Sequence, residues 1–354
     1  MAYTDIDDPS AYFQTTLYTG NGGTQTITNG GNSDLQPNWI WTKVRSETGS
    51  HRLVDTVRGL AKPLFSNGND AEGDETNYSA FNSDGFSLVN NSLNENNRTY
   101  VAWQWKAGTS FTNDASATSV GNIDSQGSVN QTAGFSIIKW SGNGSNDQQI
   151  AHGLGAAPAW WIVKRRNADV DWYTVHKSTI ANYYDDYFLR LNDNTVLEGD
   201  NNVGTGVPTS SVFFVGNDTL SNASGGNYIA YLFAEKKGYS KFGSYIGNND
   251  NDGAFVYLGF KPAFVLIKII DTQTDNWIMQ DNKRNPINLA TSQRLRANTN
   301  GAEFSSSNEI DLLSNGFKCH GADGEINGSG AKYIYMAFAE QPFVTSTGIP
   351  ATAR

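Results

Sequence analysis

The residues able to do chemistry recur at matched places along the chain. His176 stands where two related segments carry Asp55 and Asp281. Downstream of these come Asn67, Asn192 and Asn298, and an acidic residue follows each asparagine, at Glu72, Glu198 and Glu303. Paired carboxylates are the equipment of glycoside hydrolysis, one protonating the leaving oxygen while the other attacks or activates water. The pairs here repeat at three corresponding places, however, and a triplicated active site is uncommon. The reading preferred is that the Asp or His and the Asn/Glu set cap and brace the same turn three times.

Other reactive types give no convergent set. The four histidines, at positions 51, 152, 176 and 320, include no two at metal-ligand spacing on a recognisable element. Cys319 and His320 are adjacent, and neighbours on a strand point to opposite faces, so a Cys-His dyad is not expected. Neither a nucleophile elbow nor a phosphate loop is present in its required context. Asn248-Asn-Asp-Asn-Asp-Gly253 resembles the first half of a calcium loop and makes Asp250 and Asp252 candidate metal ligands. Its twelfth position is Gly259, so the bidentate glutamate is missing and an acidic hairpin turn is the expectation. The lysines at 43, 164 and 268 are expected to snorkel at strand ends. The acidic-aromatic run Tyr183, Tyr184, Asp185, Asp186, Tyr187 is the candidate for an exposed contact patch. The expectation is therefore no enzyme, no cofactor and no metal.

The elements that hold these residues come in three copies. Pro37-Asn-Trp-Ile-Trp-Thr-Lys43, Pro158-Ala-Trp-Trp-Ile-Val-Lys164 and Pro262-Ala-Phe-Val-Leu-Ile-Lys268 share one layout, with an upstream Gly-Asn pair at 20–21, 142–143 and 247–248. Each unit closes on a strand, beginning Tyr100-Val-Ala-Trp, Tyr228-Ile-Ala-Tyr and Tyr333-Ile-Tyr-Met. A period of roughly 105 to 125 residues is far longer than a solenoid repeat, so each unit is large enough for a core of its own. The Pro-to-Lys runs are apolar on both parities, as in strands buried on both faces, and the closing strands alternate with period 2. Loops rich in Asn-Gly and Asp-Gly suit tight hairpins. These signals predict an all-β chain of three tandem homologous β-sandwich, jelly-roll-like domains with little helix. The boundaries expected are 1–108 with an N-terminal arm, a Ser/Asn/Gly-rich linker at 109–132, then 133–239, 240–341 and an extended tail at 342–354. One short helix is expected near Asp55 to Leu64. Units two and three are expected to pack rigidly and unit one to hinge more freely.

Composition narrows the partners. The 354 residues carry 25 Lys and Arg against 35 Asp and Glu, a net charge of -10 that repels nucleic-acid phosphate. One cysteine excludes a disulfide framework. The first residues show no basic or apolar signal region, and no run of 18 or so apolar residues occurs, so synthesis in a cytoplasm without membrane insertion is expected.

The motifs Trp105-Lys-Ala-Gly108, His152-Gly-Leu-Gly155, Tyr228-Ile-Ala-Tyr-Leu-Phe-Ala-Glu235, Gly238-Tyr-Ser-Lys-Phe-Gly-Ser-Tyr245, Gly259-Phe-Lys-Pro262 and Ala337-Phe-Ala-Glu-Gln-Pro-Phe-Val-Thr-Ser-Thr-Gly-Ile-Pro350 resemble virion structural proteins, often labelled tail fibre, of tailed bacteriophages that infect marine bacteria. The resemblance covers essentially the whole chain. It implies a particle-bound, oligomeric, non-enzymatic protein of the virion, released by lysis, whose partners are other virion proteins, copies of itself and a host-surface glycan or protein. A tail fibre that contributes to host adsorption is the first expectation. A capsid decoration or head fibre and a carbohydrate-binding lectin-like module are the alternatives.

Overall fold

The computed structural model describes residues 3–179, 187–199, 203–204, 206–289, 291–307 and 310–351. The first unit holds β1 (Phe13–Thr19), β2 (Gln25–Ile27), β3 (Trp39–Val44), β4 (Arg52–Asp55), β5 (Gly59–Leu64), β6 (Tyr78–Phe81), β7 (Phe86–Leu88) and β8 (Thr99–Trp105). The second holds β9 (Thr109–Asn113), α1 (Ala115–Thr118), β10 (Ser125–Asn130), β11 (Phe135–Ser141), β12 (Gln148–Ala151), β13 (Trp160–Arg165), β14 (Tyr173–His176), β15 (Tyr187–Arg190), β16 (Glu198–Gly199), β17 (Val212–Val215) and β18 (Asn227–Phe233). The third holds β19 (Ser240–Ile246), β20 (Phe255–Tyr257), β21 (Phe260–Ile269), β22 (Ile278–Asp281), β23 (Ser292–Arg296), β24 (Phe304–Ser306), β25 (Ile310–Leu313), β26 (Gly316–Cys319), α2 (Gly324–Asn327) and β27 (Lys332–Pro342).

The chain is all-β, and each unit is a sandwich of one large and one small antiparallel sheet. The large sheets run β1-β8-β3-β4-β5, β16-β15-β14-β13-β18-β11-β10-β9 and β19-β27-β21-β22-β23-β24. The small ones run β2-β7-β6, β12-β17 and β20-β26-β25. The closing strand therefore lies between the first strand and the Pro-to-Lys strand in every unit. Alternation sorts its side chains. In β8, Trp103 and Trp105 point to one face, and Tyr100 and Ala102 to the other, where they pack against the small sheet.

The faces away from the small sheets meet in one shared core. Trp39, Trp41, Trp103 and Trp105 of the first unit join Phe135, Trp160, Tyr231 and Phe233 of the second and Phe242, Phe264, Trp277 and Phe338 of the third. Trp39 stacks on Tyr231 with centroids 4.3 Å apart. Phe338 reaches Phe13 at 5.2 Å and Phe233 at 5.8 Å. At ~25 cal/mol per Å² and ~200 Å² per ring, each aromatic adds about 5 kcal/mol of gross burial. A core that draws on all three units leaves the first no freedom to hinge, contrary to the expectation from sequence.

Three further expectations are corrected. The supposed linker at 109–132 forms β9, α1 and β10, hydrogen-bonded onto β11 as the edge of the second large sheet. Polar residues serve at such an edge because main-chain bonds hold it, with Phe111 and Val129 as its apolar anchors. The helix expected near Asp55 to Leu64 is the β4-β5 hairpin: the Asp55 carboxylate accepts the N–H of Val57 and Arg58 at 2.9 Å, a side-chain turn that competes with helix. The tail is not extended over residues 343–351. Thr345 donates its N–H to Ile349 O at 2.9 Å and Ala351 to Phe343 O at 2.8 Å, folding 343–351 back on itself. The N-terminal arm is also docked, with Thr4 and Ile6 buried and the Thr4 hydroxyl 3.1 Å from Lys237 O.

Candidate functional site

The recurring polar residues converge on the joints between units, and the joints close a ring. Trp172 of the second unit donates its indole N–H to Phe65 O of the first at 2.8 Å. Trp277 of the third donates to Arg190 O of the second at 2.9 Å. His51 holds the same place in the first unit. Trp41 donates to His51 Nδ1 at 2.8 Å, which leaves the ring proton on Nε2, facing Arg296 O of the third unit at 3.1 Å. The main-chain N–H of His51, Trp172 and Trp277 is received by the side-chain oxygen of Asn67, Asn192 and Asn298, at 2.8, 2.8 and 3.0 Å.

A second layer of each joint is ionic. Arg58 Nε donates to Asp55 at 2.6 Å, and Tyr231 of the second unit adds its hydroxyl to the same carboxylate at 2.8 Å. Arg284 repeats this with Asp281 at 2.6 Å, where Trp103 of the first unit supplies the crossing donor at 3.1 Å. Glu72 accepts two bonds from Arg166 of the second unit, at 2.8 and 3.0 Å, and Glu303 is held likewise by Arg45 of the first. In the second unit Thr179 replaces the arginine, and His176 Nε2 faces Tyr335 O of the third unit at 3.3 Å. Burial pushes the His176 imidazole down to about 3 and holds His51 well below the usual range, so both rings are neutral braces.

Glu198 does not share the role of Glu72 and Glu303. The residue that meets the neighbouring unit there is Leu197, whose N–H donates to Ile270 O, as Glu72 N–H donates to Arg166 O and Glu303 N–H to Arg45 O. Glu198 pairs with Arg190 inside its own unit at 2.9 Å. Lys43, Lys164 and Lys268 do not snorkel. All three are buried and donate to carbonyls, Lys164 reaching Asn69 O of the first unit at 3.1 Å and Lys268 reaching Asn194 O of the second at 3.2 Å. Burial lowers each amine to about 8.

Sequence reasoning missed a second recurring set. Asn94, Asn222 and Asn327 are fully buried, and each stands six residues before the closing-strand tyrosine. Their side-chain oxygens receive the N–H of Asn21, Asn143 and Asn248, at 3.1, 3.2 and 3.0 Å. The hydroxyls of Tyr100, Tyr228 and Tyr333 receive the next residue's N–H, from Glu95, Ala223 and Gly328. The chain passes so close here that a Cβ on Gly20, Gly142 or Gly247 would lie 2.1, 2.4 or 2.3 Å from a carbonyl oxygen, which explains the repeated Gly-Asn pair.

An open groove of about 820 Å³ runs beside the joint that holds Arg166. The β9–α1–β10 edge builds it, and Asp114, Asp124, Gln126, Lys139 and Asn227 give it polar walls.

The family described as Domain of unknown function (DUF7483) matches residues 8–342. The chain belongs to DUF7483. That match spans all three units and every joint described above. No curated protein and no solved structure matches the chain.

The remaining candidates in this DUF7483 chain lie apart from one another. Tyr183, Tyr184, Asp185 and Asp186 fall outside the described residues, and Tyr187 is partly exposed at the start of β15. Asp250 and Asp252 sit in the β19-β20 connection, where Asp250 receives the Asp252 N–H at 2.9 Å and Asp252 pairs with Lys318. No group of three metal-ligating side chains occurs among the described residues. His320 pairs with Asp311 at 2.6 Å, while Cys319 is buried and its thiol is pushed up to about 12 by that burial. No helix among the described residues is long and apolar enough to cross a membrane.

Proposed function

We propose that this DUF7483 chain is a non-enzymatic structural protein of a tailed-phage particle, a tail fibre or adjacent appendage contributing to host adsorption. The observation that carries this reading is where the reactive side chains go. Asp55, Asp281, Glu72 and Glu303, together with His51 and His176, lie in joints that lock three sandwiches into one body. Such a body suits a load-carrying appendage, and the sequence resemblance to virion proteins supplies the particle. Its partners would be neighbouring virion proteins and further copies of itself. Antiserum raised against the purified chain should decorate tails in electron micrographs of particles made by cells that carry the gene. Labelling of the head instead would favour a capsid decoration, and unlabelled particles would overturn the proposal. The polar groove beside β9 favours a second reading, a carbohydrate-binding module. A glycan array with the isolated chain tests it, and a blank array counts against it.

A further inference from the structure

Among the described residues no strand pairs with the outer edge of the third sandwich, and the second sandwich indicates what such an edge accepts. The first strand of each unit lies at the same place, next to the closing strand: β1 on β8, β11 on β18 and β19 on β27. In the second unit that edge is sealed. β10 pairs with β11 in antiparallel register, Gln126 opposite Lys139 and Ser128 opposite Ile137. The same segment closes the small sheet, where Ile123 bridges Ile150 and Asn122 donates its N–H to Gln149 O. In the first unit β1 is braced by the nearby loop, since Gln14 bonds Ser33 O and Gly31 N–H, and Thr16 bonds Asn29. In the third unit β19 ends its sheet and β20 ends the small one.

The hydrogen-bond phase identifies which groups β19 offers. Gly247 donates to Ala331 O and Ala339 to Tyr239 O, so the odd-numbered residues face β27. Phe242, Ser244 and Ile246 therefore aim their main-chain N–H and C=O away from the sheet. Their counterparts by position, Ile137, Lys139 and Ser141, face β10, and the first two pair with it. Each of the two edge strands carries exposed apolar side chains, Ile246 at 56% on β19 and Phe255 and Tyr257 at 50% and 52% on β20. Lys241 joins the two edges, its amine 2.7 Å from Tyr257 O. An unpaired edge with apolar neighbours is a template for strand addition.

We propose that β19 is the interface for a second copy of this chain, paired antiparallel with its own counterpart about a two-fold axis at Ser244. The strand is self-complementary in that register. Ser244 faces Ser244 of the second copy, and Ile246 comes beside Phe242, whose ring is already buried in the shared core, so the main-chain bonds of the paired edges carry the contact. Lys241 faces Gly247, so no like charges oppose. Every outward N–H and C=O of the three residues finds a partner. The proposal is independent of the virion reading, because association in dilute solution tests this edge whatever particle the chain belongs to.

The test is sedimentation equilibrium of the full chain with two variants. The wild type should weigh twice 38.6 kDa at micromolar concentration. Ser244→Pro removes an outward N–H that no bond inside the chain uses, and Ile246→Lys puts a charge at the seam. Each should weaken association by about tenfold or more while leaving the fold intact. Hydrogen exchange of the 240–246 segment in the wild type should speed up on dilution. Should Ser244→Pro fail to fold, Ile246→Lys and the exchange measurement carry the test. A wild-type chain that stays monomeric overturns the proposal and leaves the edge to another protein's strand. So does a dimer that survives Ile246→Lys with 240–246 exchanging at the monomer's rate.

Discussion

Leu197 donates its N–H to Ile270 O at 3.0 Å, in the place where Glu72 meets Arg166 and Glu303 meets Arg45. Both members of the third pair are apolar, and both pack against the shared core. The arginine that elsewhere stands behind the carboxylate is absent too, replaced by Thr179. One joint of the ring has thus exchanged an ionic lock for a greasy one, on both sides together.

That exchange predicts how the ionic joints respond to change. Glu303→Leu leaves Arg45 and the buried Arg284 facing a side chain that cannot receive them. The loss should be about 2–4 kcal/mol in urea unfolding. Adding Arg45→Ile, the pair found at the third joint, should recover part of it. A double-mutant cycle should give a coupling of about 1–2 kcal/mol, and strict additivity would refute the pairing.

Acid should loosen the fold through the buried histidines. Their folded values lie below the ordinary 6.5, at about 3 for His176 and about 4 for His152. The unfolded chain therefore takes up protons first, and stability is full above about 6.5 and falls as pH drops toward those values. Urea midpoints measured from pH 7 to pH 4 should decline, and His176→Asn should flatten the slope.

Alkali should do the reverse over a limited window. Lys43, Lys164 and Lys268 are lowered from 10.5 to about 8 in the folded chain. Between about 8 and 10.5 the unfolded chain holds more protons, so stability should rise. Above about 10 the buried tyrosines, whose folded values are raised, act the other way. A stability maximum between about pH 9 and 10 is expected; Lys164→Met should reduce the rise toward it.

Asn222→Ala should cost about 2–4 kcal/mol, since it strands the Asn143 N–H and the Ser145 carbonyl in a half-buried corner. Gln149→Ala, at a half-buried position of the same unit where no hydrogen bond of the Gln149 side chain is lost, should change the urea midpoint little.

Much of the fold was legible from residues alone. Trp, Ile and Val between Pro and Lys mark β3, β13 and β21, because only strands covered on both faces tolerate apolar side chains on both parities. The joint asparagines were legible by recurrence. Glu198 misled because residue type was followed instead of distance: five residues separate Asn67 from Glu72 and Asn298 from Glu303, and five from Asn192 reach Leu197. Asn94, Asn222 and Asn327 were missed although each precedes its tyrosine by six, since loops rich in asparagine hide a single buried one. The β9–β10 edge left no alternation to read, as its outer face is polar and its bonds are main-chain.

The ring of joints also alters what a chain end means here. In a linear array the first and last repeats have one naked flank and need caps. Here the third unit grips the first through Glu303 and Arg45, and the N-terminal arm meets the tail where Ser346 donates its N–H to Asp7 at 2.6 Å. Each unit has two neighbours, so no repeat is terminal in space. A chain joined near Asp7 and Ser346 and reopened between the second and third units should fold to the same body, as a circular permutant.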